Sequence, residues 1–371
     1  MEVLDSGWLT TGARAKEFEA CFAEAVGARH AVALNSATAA LHLALEAIGV
    51  GSDDEVIVPT WTFAASAEVV AYLGARPVLI DVDRETLNAT PEAILAAVTP
   101  RTKATIVVHV GGRPIRIAEL VERLDGSGVA IVEDAAHSFP SRVGGPDGRL
   151  AGTFGAAGAY SFYATKTITT GEGGMLVTDD DAIADRARLM SLHGISRDAW
   201  NRYSASGSWF YEIEEAGYKY NLTDIAAALG LAQLERAGEL LAARRELAAA
   251  YTAGFRASSV ADLLELPADE PDGSHAWHLY IVRLALDRIG VDRAAVIESL
   301  RGLGIGTSVH FIPLHLHPYY RDRWGYRPAD LPVAAAEFDR VISLPIWPGM
   351  SAGDVDRVVR GLETVLDAAR R

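Results

Sequence analysis

The chain is short of several things, and each shortage excludes something. A single cysteine, Cys21, cannot close an internal disulfide, so the core and not a covalent staple must hold the fold. Basic residues are outnumbered, 34 Lys and Arg against 49 Asp and Glu, which gives a net charge of -15 and a pI near 5.1. Nucleic acid is excluded as an expected partner, because phosphate binding needs a basic face. Local basic pockets for a small anionic substrate stay compatible with that balance. No apolar run approaches the roughly 20 residues that cross a bilayer. The opening Met1-Glu-Val-Leu-Asp-Ser6 lacks the basic-then-apolar order of a secretory leader. A cytoplasmic location with no membrane association is the expectation.

What is present is 371 residues, 50% hydrophobic and 22% charged, without repeats or low-complexity tracts. That is enough for about two domains with a substantial core. From residue 30 to 240 short β-rich runs alternate with amphipathic stretches, the rhythm of an α/β fold whose mostly parallel sheet carries helices on both faces. Strands are predicted at 31–34, 55–58, 77–80, 104–110, 129–132, 158–162 and 175–178, and helices at 39–48, 62–73, 91–98 and 180–192. A long helix from 223 to 251 is predicted to join this larger domain, 1–240, to a smaller α+β domain, 241–371. The latter holds a strand at 277–284 and helices at 292–303 and 354–369.

Lys166 ends Ser161-Phe-Tyr-Ala-Thr-Lys166, between Glu133-Asp-Ala-Ala-His137 and Gly171-Glu-Gly-Gly174. The three pieces together read as a pyridoxal phosphate site. A lysine attacks an aldehyde when it is held close with its amine partly deprotonated. A carboxylate at the pyridine nitrogen keeps the ring protonated as an electron sink, and Asp134, at the end of an apolar strand, suits that task. Taken singly, Asp134 reads as a helix cap and Lys166 as a solvated lysine; the joint pattern favours the site. Freed from the cofactor, Lys166 is also placed to shuttle a proton, which is the chemistry of transamination.

Around this pair stand further candidates. Asn35-Ser-Ala-Thr-Ala39 forms a strand-to-helix turn that aims free N–H groups and hydroxyls at an anion, so Ser36, Thr38 and Ala39 suit a phosphate. A simple N-cap is the structural alternative. Of the aromatics in Pro59-Thr-Trp-Thr-Phe63, Phe63 is favoured over Trp61 to stack on the ring, with core packing as the competing account. His137 reads as a partner of the ring hydroxyl, as a brace for Asp134, or as a packed core residue. The stretch 200–220 interleaves Trp209, Tyr218 and Lys219 with other aromatics and Arg202, a composition suited to a nucleotide base and diphosphate or to dimer packing. His310, His315 and His317 lack a nearby cysteine or clear carboxylate ligand. They therefore read as a substrate-lining loop, and no metal is expected.

These motifs, with Ser6-Gly-Trp-Leu-Thr-Thr-Gly12, Asp81-Val-Asp83, His193-Gly194, Tyr218-Lys-Tyr-Asn-Leu-Thr-Asp224 and Leu344-Pro345, run over nearly the whole chain. As a set they resemble the sugar aminotransferases of the DegT/DnrJ/EryC1/StrS family, pyridoxal phosphate enzymes of the aspartate aminotransferase fold. The resemblance implies that Lys166 is the Schiff-base lysine, Asp134 the pyridinium partner, Phe63 the stacking residue, and Ser161, Thr38 and Ala39 phosphate ligands. It also implies a homodimer with shared active sites, in which Asn221 reaches the neighbouring subunit's cofactor. Many relatives carry a segment before the Ser-Gly-Trp motif, which here begins at Ser6, and many have glycine where Ala37 stands.

Ser36-Ala-Thr-Ala39, Tyr218-Lys-Tyr-Asn221 and His275-Ala-Trp-His278 are most similar to the branch that aminates C4 of a nucleotide-linked keto sugar. The substrates implied are L-glutamate and a dTDP-linked 4-keto-6-deoxyhexose. Alternatives on the same scaffold are a 3-keto sugar, a keto-cyclitol or 4-amino-4-deoxy-arabinose synthesis. The family's sugar dehydratases have histidine in place of the lysine, and Lys166 argues against that reaction. A non-catalytic, cofactor-binding regulator would leave the full catalytic set unexplained.

Overall fold

The computed structural model describes residues 2–145, 147–195, 211–268 and 274–371. Apolar runs rich in Val, Ile and Ala form the strands β1 (His30–Leu34), β2 (Glu55–Pro59), β3 (Arg76–Ile80), β4 (Thr102–Val108) and β5 (Ala130–Asp134). A short hairpin, β6 (Arg142–Val143) and β7 (Arg149–Leu150), precedes β8 (Ala157–Ser161) and β9 (Gly174–Thr178). Seven of these make one sheet in the order β1-β9-β8-β5-β4-β2-β3. β9 runs against both neighbours, and the other pairs are parallel. Since β9 is antiparallel to β1 as well as to β8, the six remaining strands all end at the same edge. Val56, Ile57 and Val58 are fully buried, as strands covered on both faces require. The last strands, β10 (Leu264–Glu265), β11 (Tyr280–Leu284) and β12 (Val341–Leu344), pair antiparallel as a separate three-stranded sheet.

The helices are α1 (Glu2–Ser6), α2 (Ala13–Val26), α3 (Ala37–Ile48), α4 (Ala65–Tyr72), α5 (Pro91–Ala96), α6 (Ile117–Leu124), α7 (Asp181–Met190), α8 (Asp224–Leu234), α9 (Ala237–Ala257), α10 (Arg293–Gly302), α11 (Pro318–Trp324), α12 (Pro332–Phe338) and α13 (Ala352–Ala369). Their starts are chemically marked. Ser36, Thr90, Asp180, Thr223, Asp292 and Ser351 each accept a backbone N–H in the first turn of the helix they precede. Among the described residues no helix is long and apolar enough to cross a membrane.

Three predicted elements need correction. The long helix 223–251 is two helices, α8 and α9, broken at Glu235–Arg236. α8 lies on α2, so closely that a Cβ on Gly230 would come within 2.6–2.9 Å of the Phe18 ring. α9 instead buries Leu247, Tyr251 and Phe255 in the core of the three-stranded sheet. One straight rod cannot present a face to both. The strand expected from 277 starts at Tyr280, because Trp277 has φ 51°, outside the strand region. The helix expected from 62 starts at Ala65, which leaves Thr62 and Phe63 in the turn after β2.

The N-terminal segment is held by residues far along the chain. The buried Asp224 carboxylate accepts the N–H groups of Gly12 at 2.7 Å, Ala15 at 2.9 Å and Arg14 at 3.2 Å, capping α2 from the start of α8. Asp224→Ala leaves those donors without a partner. It should lower the unfolding free energy by about 2 kcal/mol, read from denaturant midpoints at unchanged slope.

Candidate active site

β5 carries two successive carboxylates into the edge where the parallel strands end. Glu133 is fully buried and saturated, accepting N–H groups of Gly152 at 2.7 Å, Phe154 at 2.5 Å and Gly155 at 2.7 Å, with His109 Nε2 at 3.0 Å. The Ile115 N–H donates to His109 Nδ1, so a neutral His109 bears its proton on Nε2 and donates it to Glu133. Glu133 thereby fixes the loop under β5 and has no capacity left for a ligand. Asp134 differs. Ser66 donates to its Oδ2 at 2.7 Å and the Ala136 N–H to its Oδ1 at 3.1 Å, and Ser66 Oγ is itself 2.7 Å from Thr62 Oγ1. Burial raises the Asp134 pKa, opposed by the Ser66 hydrogen bond. A buried carboxylate so placed gains from a cationic N–H opposite it.

Lys166 follows β8 in a turn in which its own N–H donates to the Tyr163 carbonyl at 3.0 Å. Burial lowers its amine to a pKa of about 8, against the pull of Asp134 in the other direction. Three imidazoles stand nearby. The His137 ring lies 4.3 Å from that of His278 and stacks on Phe311 at 5.7 Å, and the Gly111 N–H donates to its Nδ1 at 3.3 Å. His310 Nδ1 is 2.9 Å from Ser343 Oγ. Burial foremost, then the positive charge of Lys166, pushes His137, His278 and His310 below the usual histidine range, so all three are neutral at pH 7.

At the other end of the edge, β9 passes directly beneath the start of α3. Gly174 pairs with Leu34 on one side and Ser161 on the other. A Cβ on Gly174 would collide with the Ser36 carbonyl and the Ala37 nitrogen, so only glycine lets the strand pass under the turn. Ser36 caps α3 by accepting the Ala39 N–H at 3.1 Å, and the half-buried Thr38 and Ser161 flank the same turn. Phe63 is 62% exposed, 6.1 Å from the Phe311 ring. Asn221 bridges Leu34 and donates to Thr11 Oγ1 at 2.6 Å, with Lys219 bonded to its Oδ1.

Tyr218 stacks on Tyr220 at 5.0 Å and packs 4.8 Å from His42 on α3. His315 is buried against Thr60 Oγ1 at 2.8 Å, so of the loop histidines it faces the core. Trp209 lies outside the described residues. Ser66 and the Glu133–His109 pair were not singled out by the sequence, and His278 only as the end of the His275–His278 motif; a serine in the first turn of α4 carries no motif of its own.

The family model for DegT/DnrJ/EryC1/StrS aminotransferases matches residues 1–363. The chain belongs to that family. It is 47% identical over 369 residues to the spore coat polysaccharide biosynthesis protein SpsC of Bacillus subtilis, covering 99% of this chain and 93% of SpsC. Among solved structures it superposes with TM-score 0.90 on the PMP-form of Spr1654, a sugar aminotransferase from Streptococcus pneumoniae. That match has 32% identity and covers 99% of this chain and 95% of that one. With PseC of Helicobacter pylori, an aminotransferase involved in pseudoaminic acid biosynthesis, the TM-score is 0.88 at 26% identity, over 99% and 95% of the two chains. The protein is a pyridoxal-phosphate-dependent sugar aminotransferase, of a family whose members are typically dimers.

The donor set fits that cofactor. The glycine-floored turn at Ser36–Ala39 can take a phosphate, Asp134 a cationic ring nitrogen, and Lys166 an aldehyde. With an amine near 8, about a tenth of Lys166 is uncharged at pH 7. Reaction of the cofactor-free protein with pyridoxal phosphate should therefore accelerate about tenfold per pH unit on the acid side and level off above pH 8. Stopped-flow absorbance checks this; a rate still climbing toward pH 10 would place the amine at its ordinary value.

Proposed function

We propose that the enzyme moves nitrogen from L-glutamate to C4 of a dTDP-linked 4-keto-6-deoxyhexose, with Lys166 carrying the cofactor. The observation behind the catalytic assignment is the pairing at one sheet edge of a buried carboxylate with a lysine whose amine is near 8. When bound, pyridoxal phosphate supplies the aldehyde and the electron-withdrawing ring through which the amino group passes. Asp134, oriented by Ser66, holds the ring nitrogen's proton. Lys166 Nζ would move a proton from the donor's α-carbon to the cofactor's C4′ carbon, and in the second half-reaction from that carbon to the sugar carbon. Neutral His137 and His310 add no competing charge beside that amine.

Phe63 covers one face of the ring, Ser36, Thr38, Ala39 and Ser161 hold the phosphate, and Asn221 reaches across to the partner's cofactor. Lys219, Tyr218 and His310 line the sugar nucleotide's approach. In this reading residues 1–240 form the cofactor-binding domain and 241–371 the smaller one. The choice of C4 is supported by the motifs at 36–39, 218–221 and 275–278. A role in glycan assembly agrees with what SpsC and PseC are named for.

Asp134→Asn removes the charge that keeps the ring protonated. Turnover should fall at least ~100-fold while the cofactor, still held by its phosphate and Lys166, remains bound by absorbance. Normal turnover would end that role for Asp134. The substrate is tested with a panel of nucleotide-linked 3-keto and 4-keto sugars and glutamate, the product being read by mass spectrometry and NMR. An amine at C4 of the dTDP sugar is expected, and amination at C3 alone would overturn the assignment.

A further inference from the structure

Arg244 on α9 is 2% exposed, and among the described residues no carboxylate pairs with it. A guanidinium buried without a counter-charge is costly, and an apolar side chain of the same length would fill the space without that cost. What it has instead is a set of carbonyl oxygens. Nη1 donates to Trp277 at 3.2 Å, His278 at 3.4 Å and Ile346 at 3.1 Å, and Nη2 to Thr165 at 3.3 Å. Trp277 and His278 lead into β11 and Ile346 follows β12, whereas Thr165 belongs to the loop after β8 of the main sheet.

The Thr165 carbonyl is half of the peptide unit that joins it to Lys166. The other half, the Lys166 N–H, donates to Tyr163 O at 3.0 Å. Both ends of that plane are therefore fixed, and with them the direction in which the Lys166 side chain leaves the backbone. We propose that Arg244 is a positioning residue for Lys166, locking the peptide from which the lysine springs to the second sheet and keeping a second positive charge beside it. This rests on the role given to Lys166 above. Only an arginine serves both halves, since its planar fork reaches carbonyls on two sides while a lysine's ammonium is a single point. The positive charge of Arg244 also lowers the Lys166 amine, in addition to burial.

The chain has four lysines, Lys16, Lys103, Lys166 and Lys219, which makes trace acetylation of the full-length, cofactor-free protein a direct readout. Each lysine peptide is quantified by mass spectrometry across pH 6 to 10. In Arg244→Met the Lys166 midpoint should rise by about one pH unit from about 8, with the other three lysines unchanged. In Arg244→Lys the midpoint should stay low, but the plateau labelling rate of Lys166 should increase a few-fold as the loop loosens. Met-variant protein that folds, by circular dichroism, and labels Lys166 as wild type does would overturn the proposal. If the Met variant does not fold, the Lys variant decides, and an unchanged plateau overturns it. Whether Lys166 itself carries the cofactor is read separately, from loss of borohydride-reducible attachment in Lys166→Ala.

Discussion

Strand direction is the constraint from which the rest follows. Six strands of the main sheet leave their carboxyl ends at one edge, and the single reversal, β9, lets Gly174 enter that edge from the other side. Residues as distant in sequence as Ser36, Asp134 and Lys166 are brought to one edge of the sheet. The sheet does the assembling. This is the general reason that open α/β sheets bind ligands beyond the ends of their strands.

Burial then sets the chemistry. Adjacent carboxylates on β5 have opposite fates: Glu133 is filled by backbone donors and becomes structural, while Asp134 keeps room for a cation. The same dry surroundings bring Lys166 down toward neutrality and keep three imidazoles uncharged. The environment thus sets a carboxylate apart from an amine brought nearer to neutrality and from neutral rings, using ordinary side chains.

Much of this was legible in the chain because it is local. The seven strands of the main sheet announce themselves as apolar runs, and the helix starts as Ser, Thr or Asp caps. Asp134, His137 and Lys166 stand in compact motifs next to those strands. What could not be read depends on partners remote in sequence. The break between α8 and α9 comes from two cores that each claim one half of a continuous helical pattern. Trp277 turns out of its strand because the backbone at Gly111 and Gly112 takes the N–H groups of Leu279 and Ala276. Ser66 matters only through a residue 68 positions away.

The cap that Asp224 places on α2 has a consequence in time. Gly12 waits for an acceptor encoded 212 residues later. At the usual pace of synthesis that gap lasts on the order of ten seconds or more. Through that interval α2 carries an apolar face, with Phe18 and Phe22, whose covering helix α8 does not yet exist. α2 is therefore closed over long after it is synthesised, and that interval is when the emerging protein has most to gain from a chaperone.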